Sequence, residues 1–175
     1  MFPKAIKPLR FAEIDQEDWE SYRVRLGSPT DRAILQFYRQ VVFDHFSHFN
    51  EDFPDFFIEH HQFEMTQMTV QEVDKKVRYF GDEELGTFWG EQYDLFETKN
   101  QDYAVFQYMR KHLTPPFPPI LLDPSILKPK ERWDYGRPMH LVEGTHRVSY
   151  LIRMVQRGII PWTSSHEFVY VQPAT

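Results

Sequence analysis

Apolar residues first recur at helical spacing after Ser28-Pro29-Thr30, a stretch that offers a helix start. Ile34, Leu35, Tyr38, Val41 and Val42 follow, with His45 in the same register. A shorter helix is predicted ahead of it, from Glu13 to Tyr22. Pro54 ends or restarts the pattern, because proline lacks the N–H that a helix interior needs. Phe53, Phe56, Phe57 and Ile58 gather around it and read as a piece of aromatic core. Over residues 63–73 the pattern loosens to alternation among strand formers, which predicts a strand near 64–70.

The last third is more regular. Val105, Phe106, Met109 and Leu113 form one stripe and predict a helix from Asp102 to Leu113, stopped by Pro115-Pro116. Pro118-Pro119-Ile120-Leu121-Leu122 is a short apolar strand candidate, and Pro138 to Val142 is a second. A loop through Trp133, Asp134, Tyr135 and Gly136 joins them. Val148, Leu151, Ile152 and Val155 mark a helix that Gly158 is placed to end. Glu167 to Val171 alternates as a final strand. Together these elements predict one α+β domain over residues 1–175, a helical portion over 1–62 preceding a small mixed-sheet core over 63–175.

Composition narrows the chemistry. The chain has 175 residues with no cysteine, so disulfides, thiolate metal sites and a thiol nucleophile are excluded. Its net charge is −6, divided unevenly as −10 over residues 1–104 and +4 over residues 105–175. An acidic chain is poorly suited to DNA, whose phosphates call for Lys and Arg. It suits a basic protein partner on the first half better, while the second half has the charge to hold a small anion. The N-terminus lacks the apolar stretch of a signal peptide, and no window is long and apolar enough to span a bilayer, so a cytoplasmic protein with no membrane contact is expected. His45, His48, His60 and His61 do not follow a zinc-binding spacing, and no metal ligand set is expected.

Glu143-Gly144-Thr145-His146-Arg147 falls at a strand-to-helix turn. The first amides of a helix lack intrahelical partners and its dipole favours an anion there. Gly144 permits a positive φ and a close phosphate approach, and Thr145 offers a hydroxyl and an N-cap. His146 and Arg147 are donors to phosphate oxygens, while Glu143 has the chemistry of a base or a metal-nucleotide anchor. The same residues are equally compatible with a purely structural turn, in which Thr145 is only a cap and Arg147 only the partner of an acid.

The ordered set of a helix, Pro119-Ile120-Leu121-Leu122, His140-Leu141-Val142-Glu143-Gly144-Thr145-His146-Arg147, a second helix and Ile160-Pro161 resembles the ParB/sulfiredoxin superfamily over residues 102–172. That resemblance implies a Gly-x-His-Arg turn, here Gly144, His146 and Arg147, that cradles the phosphates of ATP or CTP with Mg²⁺. Thr145 stands where sulfiredoxin carries its reactive cysteine, so sulfinic-acid repair is excluded. Partition proteins add a helix-turn-helix module that this sequence does not show, and chromosome partitioning is not expected. Glu143 resembles the acidic residue that free-serine kinases of the superfamily carry before the glycine. Family members also contact nucleotide from the helix before the Pro-Ile strand, where Gln107, Arg110 and Lys111 are the candidates, in imperfect register.

Two functions are therefore expected to compete. One is an ATP- or CTP-dependent phosphotransferase or nucleotidase, with Glu143 and His146 catalytic and Gly144, Thr145, His146, Arg147 and Lys111 binding the nucleotide. The other is a non-catalytic bacterial interaction protein, such as a toxin-neutralising immunity protein, that meets a basic partner through its acidic half.

Overall fold

The structure, a computed structural model describing residues 3–9, 17–79, 88–99, 102–127 and 135–174, is a mixed α+β fold around one five-stranded sheet. The strands are β1 (His61–Thr69), β2 (Val77–Arg78), β3 (Ile120–Leu122), β4 (Met139–Glu143) and β5 (Ser165–Pro173), in the spatial order β1-β5-β3-β4-β2. β1 runs antiparallel to β5 from His61↔Pro173 to Thr69↔Ser165. β3 is parallel to β5 and antiparallel to β4, and β4 is parallel to β2.

Both faces of this sheet are covered, which explains why Ile120-Leu121-Leu122 is wholly apolar and not alternating. On one face, Ile120, Leu122, Val169 and Val171 pack against the N-terminal helices α1 (Trp19–Arg25), α2 (Arg32–Phe37) and α3 (Asp44–Asp52). Phe37 lies at the centre of that layer, with ring contacts to Phe49, Phe56 and Phe63. On the other face, Leu121, Leu141 and Phe168 meet α4 (Val70–Lys76), α5 (Phe88–Lys99), α6 (Ala104–His112) and α7 (Thr145–Gln156). Phe53 and Phe56 are core residues as the aromatic cluster predicts, whereas Phe57 remains 39% exposed.

Local signals account for most element ends. Asp18 and Asp31 cap α1 and α2, accepting from the N–H groups of Ser21 and Ile34. The start expected at Ser28-Pro29-Thr30 is thus taken by Asp31. The predicted strand ends where Thr69 and Glu72 form a reciprocal capping box that opens α4. α7 closes on Gly158 at φ +70, with Gly158 N–H on the Val155 carbonyl and Ile159 N–H on that of Met154. The expected Glu13–Tyr22 helix is found as α1, shifted toward the C-terminus; residues 13–16, and the loop residues Trp133 and Asp134, lie outside the described residues. The largest departure is in the helix predicted from Ile34 to His45, where Tyr38–Phe43 is a π-helical segment and His45 leaves helical geometry at φ −130, ψ 26.

His140 on β4 is completely buried among the rings of Phe53, Tyr79 and Tyr135. Its Nδ1 accepts the Gly136 N–H at 3.1 Å, which fixes the neutral tautomer with the proton on Nε2. Burial pushes its pKa down to about 4. The unfolded chain therefore binds more protons than the folded one between the ordinary histidine pKa and that value, and stability falls as pH drops through this window. We expect urea unfolding to show a loss on the order of 3 kcal/mol from pH 7 to pH 4 attributable to this ring. His140→Phe should flatten the pH slope, whatever its effect at pH 7.

Candidate functional site

The turn between β4 and α7 opens into a cavity of about 160 Å³. Glu143, Gly144, Thr145, His146 and Arg147 line it, joined by Gln40, Asp44, Tyr103, Val105 and Phe117. Gly144 takes the N-cap position at φ +104, and no side chain caps the helix, so the expected Thr145 cap is replaced by a glycine. The first intrahelical bond runs from Val148 N–H to the Gly144 carbonyl at 2.9 Å. The amides of Thr145, His146 and Arg147 are consequently the orphan donors of a 12-residue helix. A Cβ at Gly144 would lie 2.8 Å from Pro119 Cβ and 3.1 Å from the Arg147 guanidinium. Conformation and the close approach of the protein's own atoms thus both require this glycine.

Arg147 is buried, at 6% exposure, and is engaged by the protein itself. Its Nη1 donates to Gln40 Oε1 in a short hydrogen bond and to the Phe117 carbonyl at 3.0 Å. Its Nη2 donates to Glu143 Oε1 at 3.0 Å. Gln40, in the π segment, donates in turn to the Pro118 carbonyl at 3.1 Å. This is the structural role that the sequence left open as the alternative to phosphate binding, and Arg147 fills it. Burial lowers the Arg147 pKa from its ordinary value, opposed by Glu143.

His146 stands against Trp89, Tyr103 and Tyr150, with ring centroids 4.5, 5.6 and 5.7 Å away. Burial lowers its pKa, so near neutrality it serves as a neutral donor more than as a cation. Asp44 on the rim has a raised carboxyl pKa, chiefly through desolvation, with Glu143 adding repulsion. Lys111 does not join the cavity: it is exposed in the last turn of α6, about 10 Å along the axis from the end that presents Tyr103 and Val105. Gln40, Asp44 and Tyr103 are lining residues that the motif does not reveal. The available signal was Gln40 and Asp44 four apart, a polar pair beside an apolar helical stripe.

Three amides without an intrahelical partner suit a phosphate-sized anion, and two carboxylates beside them oppose it unless a divalent cation stands between. The donor set therefore fits a phosphate with Mg²⁺ better than bare phosphate. Asp44 would hold the ion, Glu143 is left as the candidate base, and the α7 amides with Thr145 would hold the phosphate. The cavity is smaller than the roughly 300–1,000 Å³ usual for a whole organic ligand, a size that suits a phosphate group better than an entire nucleotide.

The chain matches no protein-family model, no curated protein and no solved structure. Among the described residues, no helix is long and apolar enough to cross a membrane.

Arg147→Ala would leave Gln40, Phe117 and Glu143 without their shared donor. We expect a loss of roughly 3 kcal/mol in chemical denaturation. Wild-type stability in the variant would mean that Arg147 does not hold the turn together.

Proposed function

We propose that the chain is a ParB/sulfiredoxin-like protein that binds the phosphate of ATP or CTP with Mg²⁺ at the start of α7, in a cytoplasmic setting. The observation that carries this reading is the uncapped N-terminus of α7, opening behind a left-handed glycine into a phosphate-sized cavity. The resemblance of Gly144, His146 and Arg147 to the Gly-x-His-Arg turn supports it independently. Bound Mg²⁺ would neutralise phosphate charge. The α7 amides and the Thr145 hydroxyl orient the phosphate, and Arg147 holds the turn in shape from beneath. Glu143 accepts the proton of an attacking hydroxyl or water, which makes the activity a phosphotransfer or nucleotide hydrolysis that relies on positioning and electrostatics.

One feature favours a second reading. Arg147 and Glu143 already satisfy each other, and Glu143 Oε2 also faces His45 Nε2 at 3.6 Å. A site closed on itself in this way suits a non-catalytic interaction protein of the immunity type, with a basic partner on the acidic half.

Thermal unfolding with ATP, CTP or inorganic phosphate, with and without Mg²⁺, tests the first reading. At a ligand concentration of 100 times Kd the gain should be about 2.7 kcal/mol. We expect it to require Mg²⁺ in the wild type and to lose that requirement in part in Glu143→Gln. The same substitution should reduce turnover by roughly 10²-fold or more, with nucleotide affinity equal or slightly tighter. Absence of stabilisation and of turnover with every nucleotide would transfer support to the interaction protein.

A further inference from the structure

β1 (His61–Thr69) is the outermost strand on one side of the sheet and pairs with β5 on its inner side. The ladder shows which of its backbone groups are used. Just beyond its two ends, Ala174 N–H donates to the His60 carbonyl at 3.2 Å and Val70 N–H to the Ser164 carbonyl at 3.0 Å. Hydrogen-bonded pairs alternate along an antiparallel ladder, so the even-numbered residues between them exchange their bonds with β5. The N–H and C=O groups of His61, Phe63, Met65, Gln67 and Thr69 therefore point outward. Among the described residues none of these groups meets another backbone group. Thr69 N–H is given to a side chain, Glu72 Oε2 at 3.0 Å.

An open strand edge is a template for another strand, and folded proteins ordinarily protect it by shortness, by lysine or another charge, by proline or by a bulge. The opposite edge of this sheet has such protection: β2 is two residues long, follows Lys75-Lys76 and ends on Arg78. β1 is built differently. It is nine residues long, contains neither proline, lysine nor arginine, and keeps one register with β5 from end to end. Phe63 and Met65 belong to the apolar layer of the N-terminal helices but are only half-buried there, at its margin.

We propose that β1 is a dimer interface, pairing antiparallel with β1 of a second copy of the chain about a two-fold axis at Met65. The strand's own residues select this occupant and this register. With the axis at Met65, Phe63 exchanges main-chain hydrogen bonds with Gln67 of the second copy, Met65 with Met65, and Gln67 with Phe63. Glu64, the strand's one carboxylate, then stands opposite Thr66. Centring the axis on Glu64 would set two carboxylates directly opposite each other, which is destabilising. Centring it on Thr66 would bring Phe63 to Thr69, whose N–H is already given to Glu72. In the Met65 register the two Met65 side chains meet across the axis with Phe63 diagonal to each, so the apolar layer continues through both copies. The interface does not depend on the phosphate reading, because none of its residues belongs to the α7 turn.

Sedimentation equilibrium of the full chain from micromolar to millimolar concentration tests the proposal. We expect a reversible monomer–dimer equilibrium, with hydrogen exchange at the Phe63, Met65 and Gln67 amides slowing as the dimer fills. Gln67→Pro removes an outward N–H that β5 does not use, and should leave a folded monomer. Thr66→Glu would face Glu64 of the second copy, twice by symmetry, and should weaken dimerisation about tenfold, whereas Thr66→Lys should preserve or tighten it. If Gln67→Pro does not fold, the two Thr66 variants decide. A chain that stays monomeric over this range, even one that takes up an extended peptide of another protein on β1, would overturn the proposal. So would a dimer indifferent to Thr66→Glu, or one that Thr66→Glu and Thr66→Lys weaken alike.

Discussion

A buried guanidinium joins the two halves of this fold. Arg147 belongs to α7, on one face of the sheet, yet its Nη1 reaches Gln40 of the N-terminal helical layer on the other and the Phe117 carbonyl of the segment leading into β3. A charge at this depth is tolerated only when its donors are met, and removing any acceptor leaves a desolvated cation. Four chain segments are therefore held to one geometry: the π segment, the 114–119 connection, the end of β4 and the start of α7. The hydrophobic layers stabilise the molecule; the Arg147 cluster fixes how the helical layer is set against the site.

That constraint accounts for the local oddities around it. Gly144 has Pro119 and Arg147 where a side chain would be, so the guanidinium is close to the turn because the turn has no Cβ. Gln40 must point inward to accept from Arg147 and donate to Pro118, in a helical stretch whose inward positions are otherwise apolar. The π segment contains Gln40 itself. An inserted residue shifts the stripe by more than a quarter turn, which lets one polar residue face the site while Val41 and Val42 keep their places in the core.

Much of the fold was legible because its signals are local. The uninterrupted Ile120-Leu121-Leu122 run, the stripe ending at Gly158 and the strand expected near 64–70 each correspond to a real element. The β4–α7 turn was legible too, since a strand-Gly-helix pattern dictates where unpaired amides fall. What the sequence concealed is long-range. Val70–Lys76 reads as the end of a strand region until Thr69 and Glu72 cap each other, and the stripe from Ile34 to His45 reads as one helix because a single period cannot express a π insertion. Arg147 illustrates the limit best. Its residue type and motif position point to phosphate, whereas its partners lie 107 and 30 residues away and occupy it.

Glu143 is where these constraints meet. It ends β4, so its backbone is fixed by the pairing with Ile120, while its side chain stands where two cavities and two bases meet. One oxygen is held by Arg147, whose position the whole cluster determines; the other faces His45, whose position follows from the kink after the π segment. A neutral isostere in its place would keep the shape and lose the charge paired with Arg147. It faces the α7 cavity, which Asp44 also lines, and a groove beside α3, which Asp52 also lines. The same carboxylate thus contributes to the field on both sides, and its pairing with the buried Arg147 sets how much of that charge either side feels.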